Sequence, residues 1–303
     1  MRVVLTLGSD QTAVAAQARA AEDGGYDGVA TGEHLFFHGP VANGFVALAA
    51  AAGATSRIRL LSSLTVLPLY PAALAAKLAT TLDQVSGGRF DLGIGVGGEH
   101  PPEFLAAGVE VTERGARSDE ALELMRALWA GGPVDFAGRF TRVPGLALDP
   151  GPVQPGGPPI WLGGRRPAAI RRAGRFGDVW MPYMYTPEQL ARSLTEVRDA
   201  AEAAGRDPAA VGGAVFCWGG VDDDPDRSRA QVVETVSAVY QQDFGPLADR
   251  YLLHGDPGRV AARIREYADA GAQTLVFSPV GEGAARSGIV DLFTRAVLPA
   301  LRT

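Results

Sequence analysis

Short apolar runs and amphipathic stretches alternate along the whole chain, and this alternation limits the fold more than any other feature. Strand-like runs fall at residues 3–7, 28–31, 58–63, 90–95, 160–162, 179–181, 211–218 and 274–277. Helical patterns follow them at 12–23, 45–54, 72–85, 117–129, 168–176, 187–204, 225–240 and 258–270, with a last helix at 288–301. The strand-like runs are apolar on both faces, as parallel strands buried on both sides are. Strand plus helix, eight times over, predicts an α/β fold of the (β/α)8 TIM-barrel type. Pattern alone leaves a doubly wound open sheet as the alternative. The 303 residues suit one large α/β domain or two small ones, and no linker rich in Pro, Ser or charge divides them. Residues 99–159 exceed what a simple strand–helix unit needs. They hold one helix and then VDFAGRFTRVPGLALDP, which alternates like a short hairpin. This segment reads as an insertion after strand 4 of a single domain spanning 1–303.

Composition narrows the function classes. The chain is 47% hydrophobic and 20% charged, which describes a soluble globular protein with an ample core. Its net charge is −6 and no Lys/Arg run forms a basic face, so nucleic acid is not an expected partner. Lys77 is the only lysine. The single cysteine, Cys217, excludes a disulfide framework within the chain and fits a reducing cytoplasm. The opening MRVVLTLGSD reads as a first strand, not a signal peptide. No stretch approaches the roughly 18 uninterrupted apolar residues of a membrane span.

In a (β/α)8 enzyme the active site lies at the C-terminal ends of the strands, so strand assignment becomes site prediction. The stretch TTLDQVSGGRFDLGIGVGG, residues 80–98, reads as a helix end, a glycine turn, a buried strand and a glycine-rich exit. Gly93, Gly95, Gly97 and Gly98 place no side chains where this strand ends. That either lets a flat ligand lie against the backbone or serves close packing inside the barrel. Strand two runs into Glu33-His34. His34 is a candidate acid/base because its ordinary pKa lies near physiological pH, and Glu33 beside it would orient it. The other reading of His34 is a satisfied structural group. Glu99, after strand four, is the second catalytic candidate, with Glu103 as its rival; a solvated loop carboxylate is the alternative. His34 and His38 have the spacing of a helical metal pair, but no third ligand stands at a diagnostic distance, and no metal is expected. Gly163-Gly164-Arg165-Arg166-Pro167 opens a helix. Backbone N–H groups there, with two arginines, would hold the phosphate of an anionic ligand. Trp180, Tyr183, Tyr185 and Trp218 fall at strand ends as candidate walls of the pocket.

Beyond these local readings, SSLTVLPLYPAALAAKLATTLDQVSGGRF, ERGARSDEALELMRALW, PVQPGGPPIWLGG and RRAGRFGDVWMP occur in this order along the chain. In order and distance they resemble the bacterial luciferase-like oxidoreductases, closest to their short, insertion-poor branch. The resemblance runs from Met1 to about Phe277. Most members of that branch use the deazaflavin coenzyme F420 and others use FMN. The resemblance implies an F420-dependent oxidoreductase that moves a hydride between the deazaflavin and a small organic substrate. An FMN-dependent monooxygenase fed by a separate flavin reductase, or a flavin- or deazaflavin-binding protein without turnover, are the alternatives. Glu33-His34 matches the family's Asp/Glu-His pair, which implies the acid/base role for His34. Ser63-Leu64 matches the place of a non-prolyl cis peptide that bulges against the cofactor ring. With Gly97, Gly98, Gly163, Gly164, Arg165 and Arg166 it makes the implied cofactor site. FMN-using members carry an arginine after strand four; residues 95–97 have none, which favours F420. Arg114 and Arg117 match the family's pattern and imply ion pairs with Asp119 or Glu120. Many relatives dimerise through the helices after strands two and three, here the Ala-rich 46–54 and 72–79, so a homodimer is an implied partner.

Overall fold

The fold was obtained as a computed structural model that describes residues 1–302. Its strands are β1 (Arg2–Thr6), β2 (Gly28–Thr31), β3 (Arg59–Ser62), β4 (Thr65–Val66), β5 (Phe90–Gly95), β6 (Pro133–Ala137), β7 (Arg142–Ala147), β8 (Ile160–Leu162), β9 (Val179–Trp180), β10 (Gly212–Gly219) and β11 (Ala272–Pro279). The principal sheet runs β3-β2-β1-β11-β10-β9-β8-β5-β4, and β3 also pairs with β5. All of its pairings are parallel, and the β3–β5 contact closes it into the predicted barrel. β4 continues β3 after a break at Ser63-Leu64 and pairs with the far half of β5, Thr65 opposite Ile94.

The strand alternation sorts side chains into two apolar populations. One fills the barrel: Val4, Ala30, Leu61, Trp161, Ala214 and Val276 point to its axis from six different strands. Their neighbours in sequence, such as Val3, Leu5, Val29, Leu60 and Leu275, point outward under the helices. At the N-terminal end Arg59 closes the barrel with a two-point bond to buried Asp91, both contacts 2.7 Å.

The helices are α1 (Val14–Asp23), α2 (Gly44–Ala54), α3 (Ala72–Val85), α4 (Pro101–Ala106), α5 (Arg114–Trp129), α6 (Pro167–Phe176), α7 (Pro187–Ala203), α8 (Pro225–Tyr240), α9 (Ala248–Tyr251), α10 (Pro257–Asp269) and α11 (Gly283–Leu292). Between β5 and β8 the chain forms α4, α5 and the antiparallel hairpin β6–β7. The short helices α4 and α9 were not predicted. The expected last helix is broken: α11 gives way to a π-helical turn at Phe293–Val297 and a final 3₁₀ turn at Pro299–Leu301. Pro299 cannot donate to a continuing helical ladder, which explains the break. At the mouth of the barrel Arg286 of α11 donates to the carbonyls of Thr6 and Pro279, tying the ends of β1 and β11 together. Burial pushes its guanidinium down to about 10. Among the described residues no helix is long and apolar enough to cross a membrane.

Candidate active site

The Ser63-Leu64 peptide is cis, as the resemblance implied. Ser62 fixes the strand just before it: its hydroxyl donates to the Gly93 carbonyl at 3.0 Å and accepts from the Gly93 amide at 2.9 Å. The missing side chains of β5 and β8 are what let Leu64 in. A Cβ at Gly93 would lie 1.9 Å from the Ser62 carbonyl oxygen and 2.8 Å from Leu64 Cδ2; one at Gly163 would lie 2.4 Å from Leu64 Cδ1. Gly93 therefore takes the close-packing reading and not that of a bare floor for a ligand. Gly97, Gly98 and Gly164 are turn residues with φ of +60°, +106° and +101°, which favours glycine. Side chains of Val66, Arg114 and Ala169 crowd up to them in that order. Ser63, Leu64, Gly97, Gly98, Gly163 and Gly164 all remain half-buried at the strand ends.

His34 follows β2. Its Nδ1 lies 3.2 and 3.1 Å from the two carboxylate oxygens of Glu103, which also accepts from the Leu35 amide at 3.2 Å. Glu103 is fully buried in the first turn of α4, and the ring of His34 stacks on Phe37 at 4.1 Å. The expectation that Glu33 orients His34 is corrected here. Glu33 is buried and its carboxylate is used elsewhere: it accepts from the Gly44 amide (3.0 Å), the Tyr70 hydroxyl (2.9 Å) and the Val66 amide (3.3 Å). It ties the start of α2 to β4, and burial raises its pKa.

A cavity of about 390 Å³ is bounded by Phe37, the ring that stacks on His34, and by His38, Glu99, Arg165, Tyr183 and Tyr240 among others; His34 and Glu103 do not line it. The Tyr183 hydroxyl donates to Glu99; burial, then this bond, pushes the phenol up from its ordinary value. The Arg165 guanidinium lies over the Tyr183 ring, 4.8 Å from its centre, and donates to the Met184 carbonyl at 3.2 Å. Tyr183 stacks at 6.3 Å on Tyr240, whose hydroxyl accepts from Trp218 Nε1 at 3.2 Å. A volume in the low hundreds of Å³ with a few convergent polar groups is that of a small-molecule site.

Residues 5–274 match the model of the luciferase-like monooxygenase family. The chain belongs to that family. It is 31% identical to the F420-dependent glucose-6-phosphate dehydrogenase of Nocardia farcinica, over 93% of this chain and 91% of that protein. It is 36% identical to an uncharacterised protein of Mycobacterium tuberculosis over 61% of this chain, and the match spans 63% of that relative. Among solved structures, an F420-dependent secondary alcohol dehydrogenase in complex with an F420-acetone adduct superposes with a TM-score of 0.87 at 23% identity, covering 100% of this chain and 99% of that one. This last likeness is one of fold.

Within the luciferase-like barrel, the predicted site residues separate into two groups. Glu99 and Arg165 line the cavity together, next to the Phe37 that covers His34. His34, Glu33, Ser63, Leu64, Gly97, Gly98, Gly163, Gly164 and Arg166 are not among the lining residues. Arg166 is the exposed N-cap residue of α6. Trp180 is fully buried, with its indole N–H on the Gly164 carbonyl, and Tyr185 pairs with Ser193; neither lines the cavity. The ion pairs implied for Arg114 and Arg117 are also corrected. Arg117 pairs with Glu113 at 3.1 Å, Asp119 with Arg172 at 2.6 Å, and Glu120 accepts from the Phe140 amide. Arg114 instead lies against Gly98, its Nε buried without a hydrogen-bond partner. Residues 95–97 lack an arginine, yet α5 brings one to the end of β5. The partner of His34 had a signal in the sequence. Pro101-Pro102 marks a helix start, which puts Glu103 in its first turn, ahead of the exposed loop residue Glu99.

Proposed function

We propose that this protein is a coenzyme F420-dependent oxidoreductase that transfers a hydride between the deazaflavin and a small organic substrate. The observation that carries the reading is the His34–Glu103 pair, which follows β2 of a luciferase-like barrel and is covered by Phe37, a wall of the cavity that Arg165 and Glu99 also line. The name of the Nocardia farcinica relative, matched over nearly its full length, supports the coenzyme.

The residues present fit such a group. Ser63 Oγ, at the cis bulge, is buried without a hydrogen-bond partner, and so is Arg114 Nε at the end of β5. Arg165, before the uncapped start of α6, offers a planar cation for an anionic tail. Ser63, Leu64, Gly97, Gly98, Gly163, Gly164, Arg165 and Arg166 form the cofactor shelf in this reading. When bound, the deazaflavin supplies hydride chemistry at its ring carbon five. Glu103 accepts from His34 Nδ1, which places the ring proton there and leaves Nε2 to take or return the substrate's hydroxyl proton. Phe37, stacked on His34, screens that transfer from water. The Tyr183 hydroxyl donates to Glu99, and the two make a polar group on the cavity wall for orienting the substrate oxygen.

The test is a titration of the purified protein with F420 and FMN, oxidised and reduced, followed by fluorescence. F420 is expected to bind at least tenfold more tightly, about 1.4 kcal/mol. Tighter FMN binding with flavin-dependent oxygen consumption would overturn the coenzyme assignment in favour of a monooxygenase.

The finer organisation belongs to the same reading: one domain with 99–159 inserted, a cytoplasmic location suited to the lone cysteine, and a homodimer. The outward apolar side chains Val46 of α2 and Leu74 of α3, 71% and 48% exposed, support the dimer face.

A further inference from the structure

The cavity has two chemically different ends. Glu99, Arg165 and Tyr183 form the polar one. The other is built by the connection from α8 to α9. α8 ends at Tyr240, and Gln241 turns the chain back with φ of +52°. The Phe244 amide then donates to Ser237 Oγ at 3.0 Å, which brings the Phe244 ring to 5.6 Å from that of Tyr240. Leu247 and Tyr251 complete this wall.

We propose that the end walled by Tyr240, Phe244 and Tyr251 takes an uncharged, ring-bearing substrate: a neutral aromatic or polycyclic alcohol, or the matching ketone. The inference deepens the oxidoreductase reading and rests on it for the assignment of Arg165 to the cofactor.

Three observations carry it. The wall is made of aromatic faces, and the hydroxyl of Tyr240 is already engaged: it accepts from Trp218, and burial pushes it up to about 12, so it stays neutral. Such faces favour flat apolar ligands by offset or edge contact. Next, the cations near this wall are held outside the lining: Arg250 stacks on the Tyr251 ring, 5.0 Å from its centre, and does not line the cavity. Arg229 donates to the Gly245 carbonyl at 2.8 Å and pairs with Asp249, and Arg259 pairs with Asp249 at 3.2 Å. Among the described residues, Arg165 is the only fixed cation lining the cavity; it lies over Tyr183, the ring that stacks on Tyr240, and the oxidoreductase reading assigns it to the cofactor. A phosphate ester at the aromatic end would be desolvated without a charged partner, which is costly. Last, the polar side chain on this wall is a neutral amide, Gln242, which can hydrogen-bond a hydroxyl or carbonyl without demanding charge. The substrate thus differs in class from the sugar phosphate in the name of the Nocardia farcinica relative.

The experiment is calorimetric titration of the F420-saturated protein with 1-(2-naphthyl)ethanol, 2-naphthoate and glucose 6-phosphate. The alcohol is expected to bind at least about tenfold more tightly than either anion. Phe244→Leu should weaken the alcohol by about fivefold with F420 affinity unchanged, given roughly 1 kcal/mol for the lost ring contact. Gln242→Lys, at an exposed position that tolerates change, should strengthen 2-naphthoate by at least about threefold. Glucose 6-phosphate binding as tightly as the alcohol, or an alcohol affinity indifferent to Phe244→Leu, would overturn the inference. If F420 itself does not bind, the oxidoreductase reading fails separately. The same titrations on cofactor-free protein then still decide this one: a preference for the alcohol upholds the neutral pocket, and a preference for the phosphate ester removes it.

Discussion

Glu103→Gln is the most informative single change in this protein. The native carboxylate is fully buried and receives both His34 Nδ1 and the Leu35 amide. A glutamine keeps the shape but has one acceptor oxygen, so its NH₂ group must face one of these two donors. One hydrogen bond to a charged acceptor is lost, about 1.5–3 kcal/mol, partly offset because no charge is then buried. A net loss near 1–2 kcal/mol should lower Tm by a few degrees, at roughly 2–4 °C per kcal/mol for a chain of this size or somewhat smaller. The kinetic effect is more specific. Without the carboxylate the imidazole loses its orientation and fixed tautomer, and outer partners of this kind are worth about 10–100-fold. Stopped-flow absorbance of the deazaflavin reads the hydride step, and fluorescence titration reads cofactor affinity, which should stay within a few-fold. His34→Ala should cost about 10²–10⁴, the usual contribution of a positioned acid or base. Because Glu103 acts only through His34, adding Glu103→Gln to His34→Ala should slow the reaction no further. A single Glu103→Gln variant as fast as the native protein, or losses that multiply in the double variant, would refute the reasoning and leave Glu99 as the proton-handling carboxylate.

Other expectations follow from the same geometry. Arg165→Ala with Arg166→Ala should weaken F420 binding, while the unfolding free energy of the cofactor-free protein falls by only about 1 kcal/mol, the cost of the lost Arg165–Tyr183 ring contact; unaltered affinity would put the tail elsewhere. Cys217 is buried and burial pushes its thiol up to about 12, so thiol reagents should leave it unmodified in the native protein at pH 8 and label it fully in denaturant. Burial lowers the pKa of His254, whose Nε2 is 3.1 Å from Asp249 while Nδ1 has no partner. The unfolded chain therefore takes up a proton that the fold resists. This stability contribution is present above the ordinary imidazole value of 6.5 and is lost as pH falls below it, by at most about 1.4 kcal/mol per pH unit. Urea midpoints for His254→Gln should accordingly change less between pH 7 and pH 5 than those of the native protein.

The barrel was legible because its strands are short apolar runs at regular intervals with helical periodicity between them. The strand end after β9 was less so: only Val179 and Trp180 pair regularly, and Tyr183 joins the sheet through a single bridge to Phe216. Near the site, sequence proximity misled. Glu33 adjoins His34, yet the donors at Gly44, Val66 and Tyr70 claim its carboxylate, whereas Glu103 arrives from 69 positions away because α4 folds back over the loop after β2. No local pattern encodes such a choice; it depends on which buried carboxylate finds enough donors. The packing role of Gly93 was equally hidden, since a glycine that clears space for a ligand and one that clears space for Leu64 look the same in one dimension.

That glycine bears on how this protein can change. A side chain at 93 would collide with the Ser62 carbonyl, and one at 163 with Leu64. Three chain segments therefore interlock at the centre of the mouth: a substitution at 93 has to move the Ser62 backbone, and one at 163 has to displace the Leu64 side chain. The loop from Gln241 to Leu247 has no such interlock, and Gln242 and Asp243 are exposed on it. Drift toward new substrates should thus accumulate along that rim while the centre stays fixed. A library randomised at 242, 244 and 247 should yield folded variants far more often than one randomised at 62, 93 and 163.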